Sequence, residues 1–79
     1  MDITVRYFAA FREAAGLAEE QVDTTAGTPA ALFAECAARH PGLERFTASL
    51  VAVNDSMAGW ETELADGDKV LFFPPVAGG

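Results

Sequence analysis

Two strand-like segments, one near each end of the chain, constrain the fold more than any other feature. Ile3, Val5 and Tyr7 alternate with other residues, and this two-residue period is typical of a β-strand with one buried face. Residues 69–73 (KVLFF) form an apolar run of strand length. Because both segments are strongly apolar, we expect them to lie side by side in the centre of one sheet.

A single longer helix is available to cover that sheet. Thr28 offers a hydroxyl for the N-cap and Pro29 suits the first helical position, while residues 40–42 (HPG) end the helix. The sequence therefore predicts an α+β domain in which a mixed sheet of about four to five strands packs on one main helix. The helix face that points to the sheet carries Leu32, Phe33, Cys36 and Ala37.

Shorter elements complete the predicted order. Residues 9–15 favour a turn or two of helix that Gly16 ends, and residues 20–24 form a short polar strand. The other predicted elements are a strand over residues 49–54, a short edge segment within residues 57–62, and turns at residues 54–56 (NDS) and 66–68 (DGD).

The predicted core rests on a few large side chains, because alanine accounts for much of the hydrophobic fraction of 51%. That fraction is nevertheless sufficient for a folded domain and argues against a disordered chain. The predicted core residues are Ile3, Val5, Tyr7, Phe8, Leu32, Phe33, Leu50, Val51, Val53, Leu64, Val70, Leu71 and Phe72.

Composition also narrows the class of function. The 79 residues make one small domain, and 12 acidic against 5 basic residues give it a net charge of −7. This balance opposes nucleic-acid binding, which needs cationic groups to displace phosphate counterions. It suits docking on a basic protein surface, and it also serves solubility alone.

The sequence shows no pattern typical of a membrane span, a signal peptide or a metal-binding site. No apolar run approaches the roughly 20 residues of a membrane span, and the first residues lack the pattern of a signal peptide. The single cysteine, Cys36, permits neither an internal disulfide nor a zinc-binding pair. Asp66 and Asp68 flank Gly67 and are expected to shape a turn rather than bind a metal. We therefore expect a cytoplasmic protein that binds no metal.

The last residues, 74–79 (PPVAGG), differ from the rest of the chain. Proline cannot donate a hydrogen bond to a sheet, and it stiffens the segment that follows in an extended form. We expect residues 1–74 to form the folded domain and residues 75–79 to form a flexible tail that leaves the last strand. The tip of this tail is the backbone carboxylate of Gly79, a chemical handle for another protein's active site. The alternative is an ordinary frayed chain end.

The sequence offers no convincing catalytic set elsewhere. Cys36 lies on the apolar face of the helix, so we expect a buried, inert thiol rather than a persulfide carrier. His40, the single histidine, ends the helix, where we expect either a favourable interaction with the helix C-terminus or simple exposure. Trp60 either extends an exposed apolar patch or holds the edge segment in place, and the sequence leaves both open.

Several segments together resemble one known family. Over essentially its whole length, the chain resembles the small, sulfur-carrying subunits of molybdopterin synthase, which are ubiquitin-like β-grasp proteins. It departs from their usual pattern at Lys69, where an acid is commoner, and at residues 62–63, where a proline often precedes the leucine. The segments that carry the resemblance are residues 5–9 (VRYFA), 11–13 (FRE), 52–54 (AVN), 64–68 (LADGD) and 72–79 (FFPPVAGG).

The resemblance implies a non-catalytic carrier subunit rather than an enzyme by itself. In this family an E1-like partner uses ATP and magnesium to adenylate the terminal glycine, here Gly79, and sulfur then replaces one carboxyl oxygen. The resulting thiocarboxylate enters the large synthase subunit, where a pterin precursor receives the sulfur and gains the dithiolene that binds molybdenum. The carrier binds no cofactor, and its partners are the large subunit, the E1-like enzyme and a sulfur donor protein, not nucleic acid or a membrane. The implied site comprises Gly79 and the tail residues Pro75, Val76, Ala77 and Gly78.

The resemblance also implies a docking surface on the open face of the sheet. The matching positions are Phe8, Met57 and Phe73, and Arg12 matches a position near the base of the tail. On the last strand Phe73 alternates with Phe72, so Phe73 points away from the helix if Phe72 points toward it. The alternative is that Phe8 and Phe73 cover the thin side of the core.

Two other kinds of function stay open. A carrier of the same fold can serve cysteine or thiamine-thiazole synthesis, although thiamine carriers usually lack the FFPP run found here before the diglycine. A ubiquitin-like protein modifier would instead become attached to lysine side chains. The single lysine, Lys69, argues against chains built through this protein.

Overall fold

The chain folds into a mixed β-sheet with one main helix on one of its faces. The computed structural model describes residues 1–45 and 49–75. Its elements are β1 (Asp2–Tyr7), α1 (Ala10–Ala15), β2 (Glu19–Asp23), α2 (Pro29–Arg39), a 3-10 turn (Pro41–Arg45), β3 (Leu50–Val53), β4 (Ser56–Ala58) and β5 (Lys69–Phe73).

The central strand of the sheet is β5, as the sequence predicts for an apolar last strand. The strand order is β2-β1-β5-β3-β4, with β1 and β5 parallel and the other pairs antiparallel. Val5 lies opposite Val70, and Tyr7 lies opposite Phe72. Parallel pairing of the first and last strands needs a long crossover connection, and α2 lies within it. Strands on both sides therefore hold the end of β5, which leads directly into Pro74.

One core lies between the sheet and α2. The inward side chains of Val5, Val70 and Phe72 are fully buried, and they form one cluster with Leu32 and Cys36 of α2. Full burial of a large apolar side chain stabilises the folded state by about 1.5–3 kcal/mol. These inward positions of the sheet and the helix therefore dominate the stability of the domain.

The observed core differs from the predicted one at several positions. The prediction that Phe8 belongs to the core is wrong, because this side chain is 61% exposed. Leu50 and Leu71 are only half-buried, since strand alternation turns them to the opposite face of the sheet. Phe11 and Leu43 are fully buried, although the sequence does not predict them as core residues. Both lie in short helical segments, in which too few residues repeat to reveal an apolar face.

Turn and cap residues act as their chemistry predicts. The hydroxyl oxygen of Thr28 accepts a hydrogen bond from the Ala31 N–H at 3.2 Å and so caps α2. Gly16 ends α1 with φ = 83°, a left-handed conformation that glycine adopts without steric cost. Asn54 and Asp55 also have positive φ, and they form the two-residue loop between β3 and β4.

Trp60 packs on the core side of the sheet. It therefore holds the edge segment in place and does not extend an exposed apolar patch, the two roles that the sequence leaves open. Its ring stacks on that of Phe72 with centroids 5.8 Å apart, and it meets Phe33 edge-on at 5.8 Å. The Trp60 carbonyl oxygen also accepts a hydrogen bond from the Ala30 N–H at 3.0 Å. Trp60 therefore ties the segment after β4 to the start of α2.

Candidate functional site

The face of the sheet opposite α2 carries a continuous apolar surface. Strand alternation directs Leu71 and Phe73 of β5 to this face, where Ala52 and Leu50 of β3 are their cross-strand neighbours. Met57 of β4 lies opposite Ala52. Phe8 follows β1 and is held beside the end of β5, because its N–H donates a hydrogen bond to the Phe72 carbonyl oxygen at 3.2 Å. We define the open-face patch as Phe8, Leu50, Ala52, Met57, Leu71 and Phe73.

The open-face patch contains three of the four side chains predicted to dock a partner. Phe8 and Met57 are 61% and 64% exposed, and their position in one apolar patch is more informative than the exposure of either side chain alone. Phe73 is half-buried within the patch. The fourth residue, Arg12, is exposed but lies on α1, outside the strands that form the patch. An apolar patch that includes two exposed large side chains is a candidate interaction surface.

Cations lie beside the open-face patch in an otherwise acidic molecule. Arg6 is the neighbour of Leu71 in the register of β1 and β5, and its Nε lies 3.4 Å from Glu19 Oε1. Lys69 is exposed on the same face, two residues before Leu71. Within residues 1–45 and 49–75, neither Lys69 nor Arg12 has a carboxylate partner. These two cations therefore have the capacity to bind an acidic group of another protein.

A strained turn sets the position of Phe8 at the end of β1. Ala9 has φ = 54° and ψ = −125°, a combination that residues with a Cβ atom rarely adopt. The Phe8 carbonyl oxygen accepts a hydrogen bond from the Phe11 N–H at 3.0 Å, which closes a four-residue turn. Phe11 is fully buried. The turn at Ala9 thus separates an outward-facing phenylalanine from an inward-facing one.

A polar cluster at the edge of the core joins β1, β2 and the end of α2. Glu20 Oε2 accepts a hydrogen bond from the Tyr7 hydroxyl at 2.5 Å and lies 2.9 Å from His40 Nε2. Arg39 Nη2 lies 3.6 Å from the same oxygen. Burial acts to raise the pKa of the Glu20 carboxyl, but the hydrogen bonds from Tyr7 and His40 and the charge of Arg39 outweigh it and lower that pKa. The partners are 13 and 20 residues apart, so no local pattern in the sequence signals this cluster.

Cys36 is a buried core residue, as the sequence predicts. Its Sγ lies 3.6 Å from Arg39 Nη2, and its side chain is fully enclosed. Burial raises the pKa of the Cys36 thiol, although a hydrogen bond with Tyr7 and the charge of Arg39 act in the opposite direction. A buried, protonated thiol is a poor nucleophile, so the arrangement does not favour a persulfide on Cys36.

The acidic residues that flank Gly67 shape a turn, as predicted. Asp66 Oδ1 accepts a hydrogen bond from the Asp2 N–H at 2.6 Å, and Asp68 Oδ2 accepts one from the Ala65 N–H at 2.8 Å. In the part of the chain that the structure describes, no cluster of three or more His, Cys, Asp or Glu side chains is arranged to hold a metal ion. No helix of that part has the length and apolar character needed to cross a bilayer.

Most of the predicted carrier tail lies outside the described residues. This applies to the predictions for Val76, Ala77, Gly78 and Gly79. Pro75 is the last described residue, and it is exposed. The structure therefore describes the open-face patch and the strand that leads to the tail.

Comparison with known proteins places this geometry in a family. The sequence pattern of the ThiS family matches residues 5–79. The chain belongs to the ThiS family. The molybdopterin synthase sulfur carrier subunit of Escherichia coli is 36% identical, with 98% of this chain and 99% of the relative covered. The subunit of the same name from Mycobacterium tuberculosis is 38% identical, with 98% and 96% covered.

Solved structures share the ubiquitin-like β-grasp fold that the resemblance implies. SAMP1 of Haloferax volcanii has a TM-score of 0.85 at 27% identity, with 100% of both chains covered. A chain in the complex of subunits 1 and 2 of the molybdopterin-converting factor from Helicobacter pylori has a TM-score of 0.71 at 30% identity, with 100% of both covered. A chain in the BexX/CysO complex of Amycolatopsis orientalis also has a TM-score of 0.71 at 30% identity, with 98% of this chain and 99% of that one covered. Two of these three neighbours are thus parts of two-protein complexes.

Proposed function

We propose that this chain is a sulfur carrier for molybdenum cofactor synthesis and that the carboxyl group of Gly79 is its working group. The observation that carries this proposal is the 36–38% identity to three molybdopterin synthase sulfur carrier subunits over nearly the full length of each. The region matched by the ThiS family pattern includes the diglycine at residues 78–79.

The proposed chemistry depends on partner proteins, because a carboxylate is a poor electrophile. An E1-like enzyme uses ATP and magnesium to adenylate Gly79: one carboxylate oxygen attacks the α-phosphorus of ATP, pyrophosphate leaves, and that oxygen becomes part of a good leaving group, AMP. A sulfur donor protein then supplies sulfur at the oxidation level of sulfide, which attacks the carbonyl carbon of Gly79, and a thiocarboxylate forms as AMP leaves. Gly78 and Gly79 suit passage through a narrow partner site, because they lack Cβ atoms and tolerate backbone angles that other residues avoid.

The open-face patch provides the docking surface in this proposal. It is built on the strands around β5, and β5 leads directly to Pro74 and Pro75. Docking through this face therefore positions the start of the tail relative to the partner. Aromatic and methionine side chains such as those of Phe8, Phe73 and Met57 are enriched in the cores of protein interfaces. The partner is the large catalytic subunit, which receives the sulfur and passes it to the pterin precursor.

Sulfur transfer from a preformed thiocarboxylate tests this function. The carrier is produced with a thiocarboxylate at Gly79 by intein cleavage and is mixed with an active large subunit and the pterin precursor. We expect the dithiolene pterin to form as the thiocarboxylate is consumed, and the carboxylate form, which is the control, to yield none. Absence of product from the thiocarboxylate form contradicts the proposal. Transfer only to a cysteine or thiazole precursor would assign the carrier to one of those syntheses.

Protein modification is the second candidate function, and the similarity to SAMP1, a small archaeal modifier protein, favours it. A modifier joins the carboxyl group of Gly79 to a lysine amine of a target protein through an isopeptide bond. Peptide mass spectrometry of cell proteins detects this bond after digestion. Such conjugates, in the absence of any thiocarboxylate, would support the modifier function instead.

A further inference from the structure

We propose that Lys69 is a specificity-determining docking residue. It binds a carboxylate side chain of the large subunit at the cationic end of the open face, where β5 begins. This inference rests on the proposed function, because it concerns how the carrier recognises that partner. It adds one electrostatic contact to a docking surface otherwise defined by apolar side chains.

The open face of the sheet has an apolar end and a cationic end. Phe73 ends β5 and Lys69 begins it, with Leu71 between them on the same face. A strand rises about 3.3 Å per residue, so Lys69 lies about 13 Å from Phe73 along the strand. A typical interface covers about 800 Å² of each partner, which corresponds to a radius of about 16 Å. A partner centred on the open-face patch therefore also covers Lys69.

Lys69 borders a shallow recess in this face. The recess has a volume of about 30 Å³, about twice the 10–15 Å³ that one water molecule needs. The head of one carboxylate side chain is an occupant of suitable size and charge. The recess is lined by Arg6, Ala52, Asp55, Lys69, Val70 and Leu71.

Among the charged side chains of the described residues around the recess, Lys69 is the one available to an anion. Arg6 is partly neutralised by Glu19, and both of these side chains are more than half exposed. Lys69 has no carboxylate partner in the described part of the chain. Among the residues that line the recess, Asp55 is the one acid, and Arg6 and Lys69 are the two bases. With Glu19 counted, two acids balance the two bases around the recess, so the favourable contact for an anion is Lys69, unpaired among the described residues, rather than a net positive charge. Such a site accelerates docking of a surface with an acid at the matching position and disfavours one with a base there.

Charge variants of Lys69 test this role against a matched control. Lys69→Gln removes one positive charge from the open face, and Ala34→Glu adds one negative charge on the exposed side of α2, so the two changes in net charge are equal. Binding to the purified large subunit is measured at low salt and at about 1 M salt, where the Debye length is about 3 Å. At low salt we expect Lys69→Gln to bind about threefold to tenfold more weakly, and Lys69→Arg and Ala34→Glu to bind like the unmodified carrier. At high salt the four proteins should converge.

The possible outcomes separate this inference from the proposed function. Unchanged low-salt affinity in Lys69→Gln, or an equal loss in Ala34→Glu, overturns the role of Lys69 while the carrier function stands. If the unmodified carrier does not bind an active large subunit, the proposed function fails, and this inference fails with it. Thermal unfolding of each variant shows whether the fold is retained, and the exposed Lys69 should be replaced without a shift in midpoint. Restored binding of Lys69→Glu to a large subunit with one acid changed to lysine would identify the carboxylate.

Discussion

Among single residues, Ala9 shows how backbone strain sets the position of a side chain on the proposed docking surface. Its φ of 54° and ψ of −125° belong to a sparsely populated region, and such strain costs on the order of 1–3 kcal/mol. The turn at Ala9 lets Phe8 remain exposed while Phe11 is fully buried. The strain therefore lies directly beside the open-face patch, where it holds an aromatic side chain outward.

Ala9→Gly should raise the free energy of unfolding by about 1 kcal/mol. Glycine relieves the strain, and the gain exceeds the roughly 0.5–1 kcal/mol that glycine's greater freedom in the unfolded chain costs. Chemical denaturation measures the difference. Ala10→Gly is the matched control, because Ala10 begins α1, and we expect it to lower stability by about 0.5–1 kcal/mol. Equal losses in the two variants would show that Ala9 is not strained.

Variants of Phe73 and Met57 test whether the open-face patch serves partner binding or the stability of the fold. Phe73→Ala should weaken binding to the large subunit by about 1–3 kcal/mol if it is an interface hot spot. Met57 is 64% exposed, so Met57→Ala should weaken binding while it changes the free energy of unfolding by less than about 0.5 kcal/mol. Calorimetric titration and denaturation of each variant measure the two quantities. Unchanged affinity together with lowered stability would assign Phe73 a structural role alone.

At the scale of elements, Glu20 makes the contact between β1, β2 and the end of α2 dependent on pH. Its pKa in the folded state is lower than its ordinary value of 4.5. The ionised carboxylate therefore contributes stability that is present above pH 4.5 and is lost as the pH falls through the folded-state pKa. Glu20→Gln should lower the free energy of unfolding by about 1–3 kcal/mol at neutral pH, because Tyr7 and His40 lose a charged acceptor. Denaturation at a series of pH values should show this difference shrinking in acid.

Glu19→Gln provides the control for that experiment. Glu19 precedes Glu20 on β2, and it lies in an exposed ion pair with Arg6. Removal of the same charge there should change the free energy of unfolding by at most about 1 kcal/mol, since exposed ion pairs contribute little. If both variants lose the same stability with the same pH dependence, the cluster around Glu20 has no special role.

The order of the helices and strands could be predicted from the local chemistry of the sequence, but the long-range contacts could not. Thr28 and Gly16 act on their own neighbours, so the sequence predicts the start of α2 and the end of α1. Alternation along β5 likewise predicts that Leu71 shares a face with Phe73. Leu50 and Ala52 join the same patch because β3 lies beside β5. Alternation within one strand does not reveal which strands are neighbours in the sheet. The contact between Glu20 and His40 depends on the completed fold in the same way.

At the scale of the whole molecule, the stabilising core and the proposed reactive group occupy different parts of the chain. The core cluster of the described residues extends from Ile3 to Phe72. Deletion of Gly79 should therefore change the free energy of unfolding by less than about 0.5 kcal/mol and leave binding to the large subunit largely intact. The same deletion should abolish sulfur loading. Loss of folding in this variant, measured by denaturation, would contradict the separation.

The carrier function requires that Gly79 exchange one carboxyl oxygen for sulfur. Intact-mass spectrometry after incubation with ATP, an E1-like enzyme and a sulfur donor protein detects this exchange on the chain itself. We predict the mass increase that replacement of one oxygen by one sulfur produces, and no increase without ATP or in the variant that lacks Gly79. An unchanged mass, together with attachment of the chain to lysines of other proteins, would contradict the carrier function.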